Sequence, residues 1–142
     1  MKNVILSLVC LVILSCDNQE LAKINTDQEV WHKNATIYEV NLRQFTEEGT
    51  FKAFLPHIER IHDLGIDILW FMPVHPIGVK NRKGVLGSYY SVKDYRGINP
   101  KFGTKEDFVA IIEKAHSLDM KVLMELVANH TAFDHDWAEQ HK

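Results

Sequence analysis

Three histidines and two aspartates crowd the C-terminal stretch of the chain: His130, Asp134, His135, Asp136 and His141. Imidazoles four positions apart stand on one face of a helix and can hold a transition metal together. Here the histidines are five and six positions apart and no H-E-x-x-H occurs, so the spacing argues against such a site. The carboxylates Glu39, Asp67, Asp94 and Glu125 are the other candidates for acid–base work. Glu39 and Glu125 stand in short apolar, β-prone runs, where a hydrogen-bonded polar pair or a capped strand end is the ordinary expectation; no catalytic pair is assigned to them. Both cysteines, Cys10 and Cys16, lie in the leader, which leaves no disulfide framework and no Cys-based zinc site for the folded part. Neither G-x-G-x-x-G nor G-x-x-x-x-G-K-S/T is present, so the sequence offers no phosphate-cradling loop. Sixteen basic against nineteen acidic residues give a net charge of -3, without the basic excess a nucleic-acid binder needs.

Those side chains need a scaffold. With 142 residues, 46% of them apolar and 25% charged, the chain is long enough for one domain with a buried core. Ile37–Val40 reads as a strand. From Thr50, a plausible N-cap, Phe51, Phe54, Leu55, Ile58, Ile61 and Leu64 recur at helical steps up to Gly65, with Pro56 expected to kink that helix or mark its first turn. Ile66–Phe71 is apolar on both faces, as a buried parallel strand would be, and places Trp70 and Phe71 in the core. Residues 75–103 form a long glycine-containing loop with little periodicity, a length usually kept for function. Thr104 and Asp107 approximate a capping box, with Phe108, Ile111, Ile112, Ala115 and Leu118 on one helical face. Val122–Val127 then reads as a third buried strand, followed by a polar, aromatic tail. The βαβαβ order requires parallel strands, in an open doubly wound sheet or in part of a (β/α)8 barrel. Without a nucleotide-binding loop, the barrel is the better fit.

The first residues are different in kind. One lysine precedes an apolar run, Val4–Leu14. Its roughly 16 Å of helix is too short for the ~30 Å hydrocarbon core. Residues 1–15 therefore read as a signal peptide. Ile13-Leu14-Ser15-Cys16 resembles the bacterial lipobox, which implies a lipid on Cys16 and a place in the cell envelope, facing the periplasm or on the cell surface. The alternative is an ordinary secretory signal with an incidental Cys16. Residues 16–30 are then a polar tether and residues 31–142 the folded part, held to the membrane through the lipid anchor only.

Four segments carry a family likeness: ATIYEVNLRQF at Ala35–Phe45, LGIDILWFMPVHPIG at Leu64–Gly78, GSYYSVKDYRGINPKFGT at Gly87–Thr104, and LVANH at Leu126–His130. In this order and spacing they resemble the α-amylase family, glycoside hydrolase family 13. The resemblance implies a (β/α)8 TIM barrel acting on α-glucans such as starch or maltodextrin by a retaining mechanism, often with a structural calcium. It implies that Tyr90 stacks on the sugar at the cleavage subsite, that His130 hydrogen-bonds that sugar, and that Asp94 is an acidic residue of the same loop. Asn129 matches an asparagine that binds calcium in many members, consistent with the ion's demand for about 6–8 oxygen ligands. Tyr89 is a weaker stacking candidate than Tyr90. The run Lys80-Asn81-Arg82-Lys83 reads most simply as a solvated loop.

Two departures matter. The family places Asp where this chain has Glu125, and an extra methylene in a tight barrel interior costs about 1–3 kcal/mol. The family's three catalytic carboxylates follow its fourth, fifth and seventh strands, whereas only three strands are legible here. Retaining hydrolysis needs two carboxyl groups about 5–5.5 Å apart, gathered from several barrel loops. The expectation is an N-terminal portion of an α-1,4-glucan hydrolase, from an incomplete gene record or a truncated gene, able to grip sugar without cutting it. A transglycosylase or branching enzyme of the same family, or a non-catalytic glycan-binding remnant, are the alternatives.

Overall fold

A computed structural model describes residues 31–140. The leader, the tether and the lipidation candidate Cys16 lie outside the described residues. Three parallel strands, β1 (Ile37–Val40), β2 (Ile68–Phe71) and β3 (Lys121–Met124), form one sheet in the order β1-β2-β3. A short helix α1 (Leu42–Phe45) follows β1. The helical run foreseen from Phe51 is broken in three: α2 (Phe51–Phe54), a 3-10 turn (Leu55–His57) and α3 (Ile58–Asp63). Pro56 sits within the 3-10 turn, where its missing amide costs no α-helical bond. Thr50 caps α2 by accepting from the Ala53 amide at 3.3 Å, and Gly65, at φ +82°, turns the chain out of the helical region. The capping box forms in full at α4 (Lys105–His116): the Asp107 amide donates to the Thr104 hydroxyl (3.2 Å) and the Thr104 amide to the Asp107 carboxylate (2.9 Å). The polar, aromatic tail contains a last short helix, α5 (Asp136–Gln140).

All the helix-forming apolar stripes meet one face of the sheet. Val40, Leu69 and Phe71 lie there with Phe51, Phe54, Ile58, Ile61, Ile111 and Ala115, all fully buried. The strand register shows what faces the other way: Glu39, Trp70 and Leu123 stand abreast across the three strands. Trp70, expected in the core, is 38% exposed. Side chains alternate along a strand, and with Leu69 and Phe71 committed to the helices, Trp70 must face the opposite side. Ile37 and Leu123 are exposed on that face as well.

β2 begins two residues later than the apolar run suggested because Asp67 is taken by a cross-link to β1. The Thr36 amide donates to the Asp67 carboxylate at 2.8 Å and the Asp67 amide to the Thr36 carbonyl at 3.1 Å. The Thr36 amide first, and then the Thr36 hydroxyl, which donates at 2.9 Å, hold the Asp67 carboxyl below its ordinary value. The capping bond from Thr104 does the same for Asp107. A depressed carboxyl pKa adds stability above the ordinary Asp range and loses it as pH falls through the folded value. Thermal midpoints should therefore drop progressively below about pH 4. Asp67→Asn, read by circular dichroism from pH 6 to pH 2.5, should flatten that acid slope; an unchanged slope would exclude the Asp67 carboxylate as its source.

Candidate functional site

The loops that leave the C-terminal ends of β2 and β3 converge, and they bring Tyr90, Glu125, Asn129 and His130 into one hydrogen-bonded group. The Tyr90 hydroxyl donates to Glu125 Oε2 at 3.1 Å. His130 Nε2 lies 3.0 Å from the Tyr90 carbonyl, and Asn129 Nδ2 lies 3.2 Å from His130 Nδ1. A carbonyl can only accept, so Nε2 carries the imidazole proton and Nδ1 accepts from the asparagine amide. Both ring nitrogens of His130 are thus engaged by the protein. Partial burial, then the bond to Glu125 and the negative charges of Glu125 and Glu39, push the Tyr90 phenol above its ordinary value. Tyr90 stays neutral through the physiological range, and the residue is 36% exposed at the mouth of the site.

Glu125 is half-buried rather than enclosed, so the extra methylene does not overpack a core. The longer arm carries the carboxylate out to the Tyr90 hydroxyl. Glu39 and Glu125 form no pair with each other; their common neighbour is Tyr90.

The other candidates fall elsewhere. Asp94 is exposed and braces its own loop, accepting from the Arg96 amide at 2.8 Å, with no bond to Tyr90 or His130. A Cβ at Gly97 would come within 2.7 Å of the Asp94 carboxylate, whose exposed side chain would have to shift to admit it. Tyr89 is buried rather than available for stacking. Its hydroxyl donates to Asn41 Oδ1, its ring lies roughly parallel to Phe102, and the Arg43 guanidinium sits 4.1 Å from its centroid. Nor is the 80–83 run wholly solvated. Arg82 is half-buried and donates to the carbonyls of Gly78 (2.8 Å), Ile77 (2.9 Å) and Val85 (3.3 Å), tying the loop together from inside.

Calcium finds no ready cage here. Asn129 offers one amide oxygen, and among the described residues no three His, Cys, Asp or Glu side chains come together in a metal-holding group. That falls short of about 6–8 oxygen ligands, and no step is assigned to the ion.

Tyr95 is a participant that sequence reasoning passed over, and Asp134 was weighed there only as a metal ligand. The Asp134 carboxylate joins the C-terminal segment to the β2 loop, accepting from the Val79 amide at 3.0 Å and pairing with Lys93 at 3.4 Å. Burial raises its pKa, but these bonds outweigh it and hold the group below the ordinary value. Tyr95, an aromatic between Asp94 and Arg96, directs its hydroxyl to the carbonyls of Val127 and His130. The only available signal was its place in a long loop already marked as functional.

A family model described as "Alpha amylase, catalytic domain" matches residues 19–142. The chain is 36% identical over 122 residues to alpha-amylase 3 of Dictyoglomus thermophilum, covering 82% of this chain and 23% of that one. It is 34% identical over 116 residues to a trehalose synthase of Thermus thermophilus, covering 78% of this chain and 11% of that one. Among solved structures, an α-amylase from Lactobacillus plantarum superposes with a TM-score of 0.75 at 50% identity, covering 77% of this chain and 26% of that one. The chain spans about a quarter or less of the length of these relatives. Parallel strands, helices on one face, and a family match over most of the sequence agree: the chain belongs to the α-amylase family, glycoside hydrolase family 13, and its described residues are the N-terminal part of that family's (β/α)8 barrel.

Proposed function

We propose that this chain forms the sugar-gripping side of a retaining glycoside hydrolase active on α-1,4-glucans such as starch and maltodextrin. The observation that carries the reading is the meeting of Tyr90, Glu125 and His130 at the C-terminal end of the parallel sheet, the end where barrel enzymes build their sites. The exposed Tyr90 face offers a platform for a pyranose ring, kept in place by its hydroxyl bond to Glu125. The His130 Nε2–H, now spent on the Tyr90 carbonyl, exchanges that acceptor for a sugar hydroxyl on binding. Asp94 supports the loop that carries Tyr90. Cleavage by two carboxyl groups about 5–5.5 Å apart belongs, in this reading, to loops beyond β3. Calcium at Asn129 would need oxygen donors beyond those the described residues bring to it.

Electrophoresis of the purified chain through starch-containing native gels tests this directly. Retardation is expected, with no release of reducing ends; unhindered migration at every starch concentration would overturn the reading. Glucosyl transfer is the second reading, favoured by the likeness to a trehalose synthase, whose glucose-binding needs would be met by the same three residues.

The same proposal places the domain in the bacterial cell envelope, tethered by residues 16–30 to a lipid on Cys16 after removal of residues 1–15. The apolar run Val4–Leu14 and the Leu14-Ser15-Cys16 sequence support it. Among the described residues no helix is long and apolar enough to cross a membrane. Cys16→Ala should move the protein from the membrane fraction to the soluble one; unchanged partition would exclude the anchor.

A further inference from the structure

The segment that carries Asn129 and His130 is unusually dependent on side chains. Among the described residues, no backbone-to-backbone hydrogen bond is made to or from residues 126–131. Backbone groups must find partners somewhere, and here two carbonyls find the same one. The Tyr95 hydroxyl bonds to Val127 O and, at 2.7 Å, to His130 O, so one phenol spans the turn on which Asn129 sits. A hydroxyl has one proton to give, and both carbonyls converge on it. The Tyr95 ring cannot easily swing away. It stacks on Trp137 (centroids 5.7 Å, planes 23° apart) and meets His75 edge-on at 5.7 Å, while His75 is itself held at 3.0 Å from the Gly97 carbonyl.

We propose that Tyr95 is a positioning residue. Its hydroxyl fixes the main chain of His130 so that the imidazole keeps its Nε2–H beside Tyr90, at the edge of the stacking face. Tyr95 acts through His130 and does not itself contact the glucan. The inference rests on the sugar-gripping reading for its functional consequence, but its structural content stands apart from it. Tyr95→Phe keeps the ring and its stacking and removes only the latch.

The test uses the whole 142-residue chain and that single variant. In the unmodified protein, long-range proton–nitrogen correlation should show His130 as one neutral Nε2–H tautomer. In Tyr95→Phe the His130 signals should report a mixture of tautomers while the melting temperature stays within a few degrees. Calorimetric titration with maltotriose should show affinity lowered about tenfold or more, some 1.4 kcal/mol. Loss of packing alone would move the melting temperature and leave the tautomer in place. An unchanged His130 tautomer in Tyr95→Phe would overturn the inference. If the unmodified chain binds no maltotriose, the gripping reading fails, and the tautomer measurement still decides the role of Tyr95. Should Tyr95→Phe not fold, the unmodified chain provides the answer: the latched Tyr95 hydroxyl proton should exchange slowly enough to give its own resonance, and its absence would overturn the proposal.

Discussion

Phe71→Ala should abolish cooperative unfolding of the chain. Phe71 is fully buried in β2 and makes edge contacts with Phe54 at 5.3 Å and Phe108 at 5.4 Å. Phe54 in turn meets Phe45 at 4.7 Å, so one ring links β2 to α1, α2 and α4. Truncating a buried Phe costs about 3–5 kcal/mol through lost burial and the cavity left behind. An ordinary domain holds about 5–15 kcal/mol in total. This sheet covers one face well and leaves Ile37, Trp70 and Leu123 exposed on the other, so its reserve belongs at the lower end. A broad melt with dye-binding apolar surface is the expected result for Phe71→Ala. Trp70→Ala, one residue away but facing outward, should retain a cooperative transition. Equal effects of the two substitutions would contradict the assignment of faces.

Tyr90→Ala should reduce retardation on starch to that of a non-binding control. The substitution removes the exposed ring and, with it, the donor to Glu125. Loss of a stacking platform is expected to weaken binding by about tenfold or more, roughly 1.4 kcal/mol. Tyr90→Phe separates the two contributions. It keeps the aromatic face and gives up the hydroxyl bond, so binding should persist with a loss of only a few-fold. If Tyr90→Phe is as damaging as Tyr90→Ala, the hydroxyl and not the ring carries the interaction.

Much of this architecture was readable from residue order. The order of the three strands, the capping box at Thr104 and Asp107, and the positive φ of Gly65 followed from local chemistry; the third strand, read as a buried Val122–Val127, is instead Lys121–Met124 and largely exposed, because at the edge of the sheet only its Val122 packs against the core. Trp70 was misplaced for a physical reason. An all-apolar run such as Ile66–Phe71 carries no period-2 signal, so nothing local says which residue meets the helices. Pro56 was correctly marked as a disturbance, yet whether it would kink or divide the helix depended on how Phe54 and Ile58 pack.

The candidate site was legible in part. The family likeness selected Tyr90, Asn129 and His130, and the fold brings them together with Glu125, which had been weighed as a polar pair with Glu39 and as a departure from the family. Asp94 was selected only as an acidic residue of the same loop, and its carboxylate turns back onto the Arg96 amide, a local bond that spacing cannot foresee. The latching role of Tyr95 and the bracing role of Asp134, which was weighed only as a metal ligand, were illegible because their partners, the Val127 and His130 carbonyls and the Val79 amide, are backbone groups distant in sequence.

The central claim is that the loops after β2 and β3 hold a glucose unit between the Tyr90 ring and the His130 imidazole. Nuclear magnetic resonance of the 142-residue chain titrated with maltotriose tests it most directly. The account predicts saturable shifts in the Tyr90 ring, His130 imidazole and Glu125 carboxylate signals, with the Phe54 and Phe71 rings unmoved. Shifts confined to residues elsewhere, such as those lining the cleft between Arg43 and Lys101, would contradict it.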